Sequence, residues 1–369
     1  MAYVPGSAMG RYVGFLPTRF QRQLANRSLD GVPAENLRTR PLGEWRALRR
    51  LRAGHDDQSV MYQRNEAFQN KIPRRELADS DVVIGFDTSS WLLAERARAL
   101  GRKFILDRSI GHPLYFGPVL ETLRRQFPKW VDECPPRLPE LLRAEETEHR
   151  HAHRIVVPSS FVRGTLVEQG IPSEKITVIP FGVDLKAFRP GMRPDASRPL
   201  RFVFLGALGA RNGVPLLLQA LRALAPANAE LWLVGSVSHR HERLIPVLPG
   251  LQLLNKIPHR ELPDILSQCD VLVFPSYFEG LAQVQLEGMA AGLPIIGTEA
   301  SGAPDLITDG KEGYVIPVGD AEALRYAMQR FIDSPGDLAT MSPAARLAAE
   351  RYSWGAYGNR WMDLLRQVV

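Results

Sequence analysis

The chain has 369 residues, 45% hydrophobic and 23% charged, with a formal net charge of +6 and a sequence pI of about 9.4. That balance excludes a disordered chain and leaves room for two domains, each with its own core. No run of about 18 uncharged apolar residues occurs, the N-terminus lacks a signal-peptide pattern, and Cys134 and Cys269 lie far apart without metal spacing, which together point to a cytoplasmic protein.

The positive charge is concentrated: residues 1–75 hold fourteen Lys/Arg against six Asp/Glu. Arg19 to Leu29 and Leu42 to Leu51 read as basic helices separated by Gly31, Pro33 and Pro41. An anionic membrane surface suits this region; nucleic acid is disfavoured, because no helix-turn-helix, zinc or RNA-binding signature accompanies the charge. A doubly wound domain opens with an apolar strand and a Gly-rich turn. Neither is evident before Arg11, and Gly6 and Gly10 are weakly placed, so the first strand unit reads as degenerate or missing.

From residue 81 the alternation is regular. Val82 to Phe86, Lys103 to Leu106, Arg154 to Val157 and Lys175 to Ile179 are expected strands, with helices at Ser89 to Leu100, Leu138 to His149 and Phe161 to Gln169. Gly191 to Pro199 reads as a linker. A second series follows, with strands at Leu200 to Leu205, Glu230 to Val234, Leu251 to Leu254, Val271 to Phe274, Pro294 to Gly297 and Gly313 to Ile316. Its helices are Pro215 to Leu224, Ala321 to Asp333, Pro343 to Arg351 and Trp354 to Val369. This order predicts an α/β protein of two Rossmann-like parallel-sheet domains, residues 1–190 and 191–353, with the terminal helix 354–369 packing back on the first.

The chemistry centres on Phe274-Pro-Ser-Tyr-Phe-Glu279-Gly-Leu-Ala-Gln-Val-Gln-Leu-Glu287-Gly-Met-Ala-Ala-Gly-Leu-Pro294. A strand, a tight turn through Tyr277 to Gly280 and a helix from about Leu281 to Ala291 place Glu279 at a helix entrance and Glu287 inside it. Eight residues at helical rise separate the acids by up to ~12 Å. They are too far apart to act on one bond as paired glycosidase acids do, but suited to the two ends of an elongated ligand, with a diphosphate at the helix N-terminus between them. Gly206-Ala-Leu-Gly-Ala-Arg211-Asn212-Gly213 lies between a strand and a helix, where its backbone and Arg211 can meet phosphate. Glu145, Glu146, Glu148, His149, His151 and His153 crowd a helix end in poor ligand geometry, and Asp79-Ser-Asp81 precedes its strand, so no metal is expected at either. Walker, Gly-x-Ser-x-Gly and His-Glu-x-x-His motifs are missing from the sequence.

The Glu279–Glu287 stretch resembles the E-x7-E signature of family-4 retaining glycosyltransferases (group 1, GT-B fold), including its Pro-Ser, Glu-Gly-Leu and Met-Ala-Ala-Gly-Leu-Pro flanks. Three further segments agree in order. They are Pro180 to Asp184, with Phe181 where Asn is usual; Gly206 to Gly213, with Ala207 and Asn212 in place of the Arg and Lys of the diphosphate clamp; and Ser301 to Gly313, with Asp305 where Glu is commoner. The resemblance implies a metal-independent retaining transferase that needs no cofactor and uses a nucleotide-diphospho-sugar as co-substrate, with a glycan or lipid-linked acceptor in bacterial surface polysaccharide or lipopolysaccharide synthesis. It implies that Glu279 holds sugar hydroxyls and His112 orients the sugar, both as catalytic residues. Gly206, Arg211, Asn212, Gly280 and Leu281 would receive the diphosphate, Ile257 the base and Glu287 the ribose. A nucleotide-sugar epimerase and a catalytically silent scaffold of the same fold stay open as alternatives.

Overall fold

The computed structural model describes residues 4–5, 28–29, 32–38, 41–131, 137–191, 198–224, 229–255 and 257–369. Gly6, Gly10, Cys134 and most of the expected linker lie outside them. Two short strands, β1 (Val4–Pro5) and β2 (Ser28–Leu29), pair in parallel. Of the expected helix over Arg19 to Leu29 only Ser28–Leu29 lie within the described residues, and they form a strand; a strand also precedes Gly6, at two residues too short to show a period.

The described residues form two compact units, 1–104 with 137–151 and 105–136 with 152–369, which cut the chain elsewhere than at residue 190. The first holds α1 (Pro41–Arg52), α2 (Asp57–Gln69), α3 (Arg74–Ala78), β3 (Val82–Phe86), α4 (Trp91–Ala99), the start of β4 (Lys103–Asp107) and, from beyond the second unit's first segment, a helix over Pro139–His151. Neither α2 nor α3 is expected from the sequence. The α2 sequence is too polar to show an apolar stripe, and it starts because the Asp56 carboxylate accepts from Ser59 N–H at 2.7 Å.

In this unit the N-terminus of α4 is satisfied from a distance. Its N-cap residue Ser90 makes no cap bond with its own side chain. Instead Leu92 N–H donates to the fully buried Gln69 Oε1 at 2.8 Å. Ser90 N–H and Oγ donate to Glu148 Oε1 at 2.8 and 2.9 Å, and Thr88 N–H donates to Glu148 Oε2 at 2.8 Å. Helix starts leave such N–H groups without intrahelical partners, so two side chains far along the sequence close the turn after β3, where Thr88 adopts a left-handed φ of 56°. This accounts for Glu148 of the acidic cluster; Glu145 pairs with Arg137.

The second unit carries the rest of β4, α5 (Pro113–Gln126), the end of the chain's first half, and all of the second half. The helix over Pro139–His151 is α6, followed by β5 (Arg154–Val157), α7 (Ser160–Val167) and β6 (Ile176–Val178). In the four-stranded sheet of order β3-β4-β5-β6, β4, β5 and β6 pair in parallel. The other has six strands in the order β12-β11-β10-β7-β8-β9, all pairs parallel. They are β7 (Leu200–Leu205), β8 (Ala229–Gly235), β9 (Leu251–Asn255), β10 (Val271–Phe274), β11 (Ile295–Thr298) and β12 (Gly313–Ile316), with α8 (Val214–Leu224), α9 (His239–Glu242), α10 (Leu262–Leu266), α11 (Gln283–Ala290) and α12 (Ala303–Leu306) between them. β10 is buried on both faces, as its unbroken Val-Leu-Val-Phe demands.

α13 (Ala321–Asp333), α14 (Pro335–Ala349) and α15 (Trp354–Val368) close the chain. α14 starts eight residues earlier than expected: Pro335 is its first residue and Pro343 lies inside it. α15 begins against the end of the first half, where Val183 N–H donates to Tyr352 O at 2.7 Å and the Phe181 ring lies 6.4 Å from Tyr357. Phe181 is thus part of the seat for that helix. α5 was hidden in the sequence by Gly117 and Pro118, yet its Leu123 and the following Phe127 are buried in the core of the six-stranded sheet, with Phe204, Leu217 and Leu218.

Burial pushes the Glu148 carboxyl up to about 7, from an ordinary value of 4.5. Between those values the folded chain holds a proton that the unfolded chain has shed, so stability falls as pH rises from about 4.5 to 7 and is level above. The difference is on the order of 3 kcal/mol. In denaturant unfolding at stepped pH, Glu148→Gln should remove that part of the slope.

Candidate active site

The loop between β10 and α11 is built as an irregular strand of bends. α11 begins at Gln283, not near Leu281, and Ala282 is its N-cap without a side-chain cap bond. Glu279 therefore stands four residues ahead of the helix, and no hydrogen-bonded turn closes Tyr277 to Gly280. Buried backbone outside regular structure must find partners one by one, and here it does. Tyr277 N–H donates to Arg211 O at 2.8 Å, Arg211 Nη1 to Phe278 O at 3.1 Å, and Glu279 N–H to Ala300 O at 3.0 Å. Thr298 Oγ1 donates to Ser276 O, and Ser159 Oγ to Gly280 O.

This binds the loop to the segment after β7 on one side and to the carboxyl ends of β4 and β5 on the other. Gly280 touches the first half so closely that a Cβ there would stand 1.8 Å from Ser109 O. The Phe278 ring fills the space over Gly111, where a Cβ would lie 2.7 Å from it. Phe116 and Phe161 surround the same ring, with centroids at 5.0 and 5.9 Å. Arg108, 2% exposed, holds the 109–112 loop from inside by donating to Ile110 O and Gly111 O, each at 2.9 Å. Ser160 donates through N–H and Oγ to Asp305 Oδ2, both at 2.9 Å. Burial raises the Asp305 carboxyl above the usual range, and the Ser160 bonds oppose that. Asp305, in the place where Glu is commoner, thus ties the turn after β5 to α12.

The residues expected to form the site fall into three groups. Arg211 and Glu279 come together, with Nη1 3.4 Å from Oε2, while Glu279 Oε1 accepts from Gly280 N–H at 3.1 Å. Leu281 follows in the same loop, and Gly206 opens the loop that carries Arg211. Asn212, buried, donates from Nδ2 to Ala207 O at 2.9 Å, so its amide braces the Gly206–Gly213 loop; its Oδ1 is buried without a partner among the described residues. His112 caps α5: Leu114 N–H donates to its Nδ1 at 3.3 Å, which places the proton of the neutral ring on Nε2. Its own N–H donates to Thr165 Oγ1.

At the far end, Glu287 lies inside α11, 2% exposed. Its Oε1 is 2.8 Å from His259 Nε2, and its Oε2 is buried without a partner among the described residues. Ile257 packs against the core two residues before His259. Sequence reasoning missed His259, Arg108, Ser159 and the aromatic cluster. The signals were faint: one His beyond a Pro, and an Arg and a Ser at strand ends.

Residues 199–334 match the family described as Glycosyl transferases group 1, and residues 14–182 match the Glycosyl transferase 4-like domain. Together these span most of the chain. The chain belongs to the group 1 glycosyltransferases. Among its relatives, the amylovoran biosynthesis glycosyltransferase AmsK of Erwinia amylovora is 28% identical over 198 residues, 50% of this chain and 49% of AmsK. The D-inositol 3-phosphate glycosyltransferase of Paenarthrobacter aurescens is 30% identical over 259 residues, 63% of this chain and 62% of that protein. The chain thus spans less than two thirds of either relative. The crystal structure of Anabaena HepE in complex with UDP superposes with a TM-score of 0.64 at 17% identity, over 80% of each chain. This group 1 glycosyltransferase therefore has the GT-B fold that the sequence pattern implies.

Replacing Gly280 by Ala should drive a methyl into Ser109 O and cost about 1–3 kcal/mol in urea unfolding. Gly209→Ala, where a Cβ meets nothing within 4 Å, should cost much less and serves as the control.

Proposed function

We propose that this protein is a retaining glycosyltransferase that moves a sugar from a nucleotide-diphospho-sugar to a hydroxyl of a glycan or lipid-linked acceptor in bacterial surface polysaccharide or lipopolysaccharide synthesis. The observation that carries the reading is the pairing of Arg211 with Glu279, eight residues ahead of buried Glu287. It restores a cation beside the acid although the sequence lacks the usual Arg and Lys of the clamp. AmsK, a glycosyltransferase of amylovoran biosynthesis, and HepE, solved with UDP, support the acceptor class and the donor class respectively.

On this reading Arg211 and the backbone N–H groups at the start of α11 neutralise the diphosphate without a metal, Glu279 holds sugar hydroxyls, and His112 donates from Nε2 to the sugar. The C1–O bond to phosphate breaks and a C1–O bond to the acceptor forms on the same face. The acceptor's proton passes to the departing phosphate oxygen, so the protein positions and stabilises charge and forms no covalent intermediate. Thermal shift with UDP-, GDP-, dTDP- and ADP-sugars, without added metal, should show stabilisation by one base. Glu279→Gln and Arg211→Ala should each lower kcat/KM about 10²–10³-fold. No stabilisation by any nucleotide sugar would favour the silent scaffold, and release of free nucleotide with an altered sugar, without acceptor, the epimerase.

α1 supplies the observation for contact with an anionic membrane. Trp45 is 54% exposed with the Arg49 guanidinium 4.9 Å over its ring, and Arg46, Arg49 and Arg52 are exposed beside it. Trp and Arg on one helix face suit the headgroup layer. No described helix is long and apolar enough to cross a membrane. Reversing Arg46, Arg49 and Arg52 to Glu should weaken sedimentation with phosphatidylglycerol vesicles at least tenfold, at roughly 1 kcal/mol per charge, and leave binding to neutral vesicles little changed.

A further inference from the structure

The nucleotide end of the site holds a contact that the proposed function does not explain. The Glu287 side chain is 3% exposed and His259, bonded to it at 2.8 Å, is 69% exposed. One carboxylate oxygen accepts from His259 Nε2 at 2.8 Å; the other is buried with no partner among the described residues. A buried carboxylate oxygen left unsatisfied costs free energy that a new donor can recover. Yet no ribose hydroxyl can reach this carboxylate while its covering stays in place. The part of that covering that moves most easily is His259. It stands on a single 3-10 turn, His259–Glu261, beyond Pro258, and its one described ring neighbour is Phe188, edge-on at 5.7 Å.

We propose that His259 is a gate on the nucleotide subsite, which swings into solvent and exchanges its Nε2–H on Glu287 for a hydroxyl of the ligand's ribose. The inference rests on the reading that Glu287 binds ribose. When the gate is shut the binding-competent fraction is small, and apparent affinity falls by that fraction. His259 therefore sets donor affinity while touching neither the sugar nor the phosphates. Its neighbour Ile257 places the gate beside the segment where the base is expected.

Titration calorimetry with UDP, GDP and ADP tests this on the full chain. His259→Ala should bind the preferred nucleotide about five- to tenfold more tightly than the unmodified chain, the scale of one lost hydrogen bond. His259→Gln, whose amide can donate to the same oxygen, should stay close to the unmodified value. Unchanged or weaker binding by His259→Ala overturns the gate and leaves Glu287 as a ribose ligand, provided Glu287→Ala abolishes binding. If Glu287→Ala binds as well as the unmodified chain, or no nucleotide binds at all, the ribose reading falls and the gate falls with it. Thermal melts of both His259 variants, which alter an exposed side chain, should match the parent within a degree or two and so separate binding from folding.

Discussion

Everything at the candidate site depends on one constraint: the six residues from Ser276 to Leu281 run through protein interior without belonging to a helix or a sheet. Each buried N–H and C=O there needs a partner of its own, at a cost of about 1–3 kcal/mol for each one left unmade. The partners come from Arg211, from Thr298 and Ala300, and from Ser159, which lie in three separate segments. That demand explains why an arginine stands after β7, why a serine ends the turn after β5, and why glycine occupies position 280, where the Ser109 carbonyl leaves no room for a side chain. Holding Glu279 is a by-product of satisfying the loop that carries it.

The same constraint shows how much a sequence can disclose. Buried parallel strands announce themselves, because Val271-Leu-Val-Phe274 is apolar throughout, Leu200 to Leu205 is apolar apart from Arg201, and they are followed by Pro and Gly; their bounds agree with those expected. α13 likewise runs from Ala321 to Asp333 as its periodicity predicts. α5 did not announce itself, since Gly117 and Pro118 argue against a helix locally while burial of Leu123 and Phe127 decides for one. Local propensity lost to tertiary packing there. In α14, by contrast, Pro343 reads locally as a helix start, yet Pro335 already serves as one.

The acids at the site were legible; their partners were not. Glu279 and Glu287 stand in one run of sequence, but His259 is 28 residues from the carboxylate it meets, and Ser160 is 145 residues from Asp305. Glu148 reaches Ser90 across 58 residues. Spacing arguments work within a helix or along a strand, where geometry repeats. They carry no information on which loops a sheet order brings side by side. His112 shows the middle case. Its position after β4 was legible, while its work as the cap of α5 required knowing that α5 exists.

The buried carboxylates divide by what answers them. Glu148 accepts three hydrogen bonds from the turn after β3, and Asp305 accepts two from Ser160, so both are consumed in holding backbone. Glu287 is the one described carboxylate with a buried oxygen that nothing described answers. A fold stabilised by only a few kcal/mol does not keep such a group without a use. Asn212 Oδ1, in the loop after β7, is in the same condition. Both lie in segments that the proposed function gives to the nucleotide-sugar, and both are places where an arriving hydrogen-bond donor recovers free energy that folding left unrecovered. On the proposed reading a ribose hydroxyl is such a donor for Glu287, whereas a diphosphate, which only accepts, leaves Asn212 Oδ1 to some other N–H or O–H group.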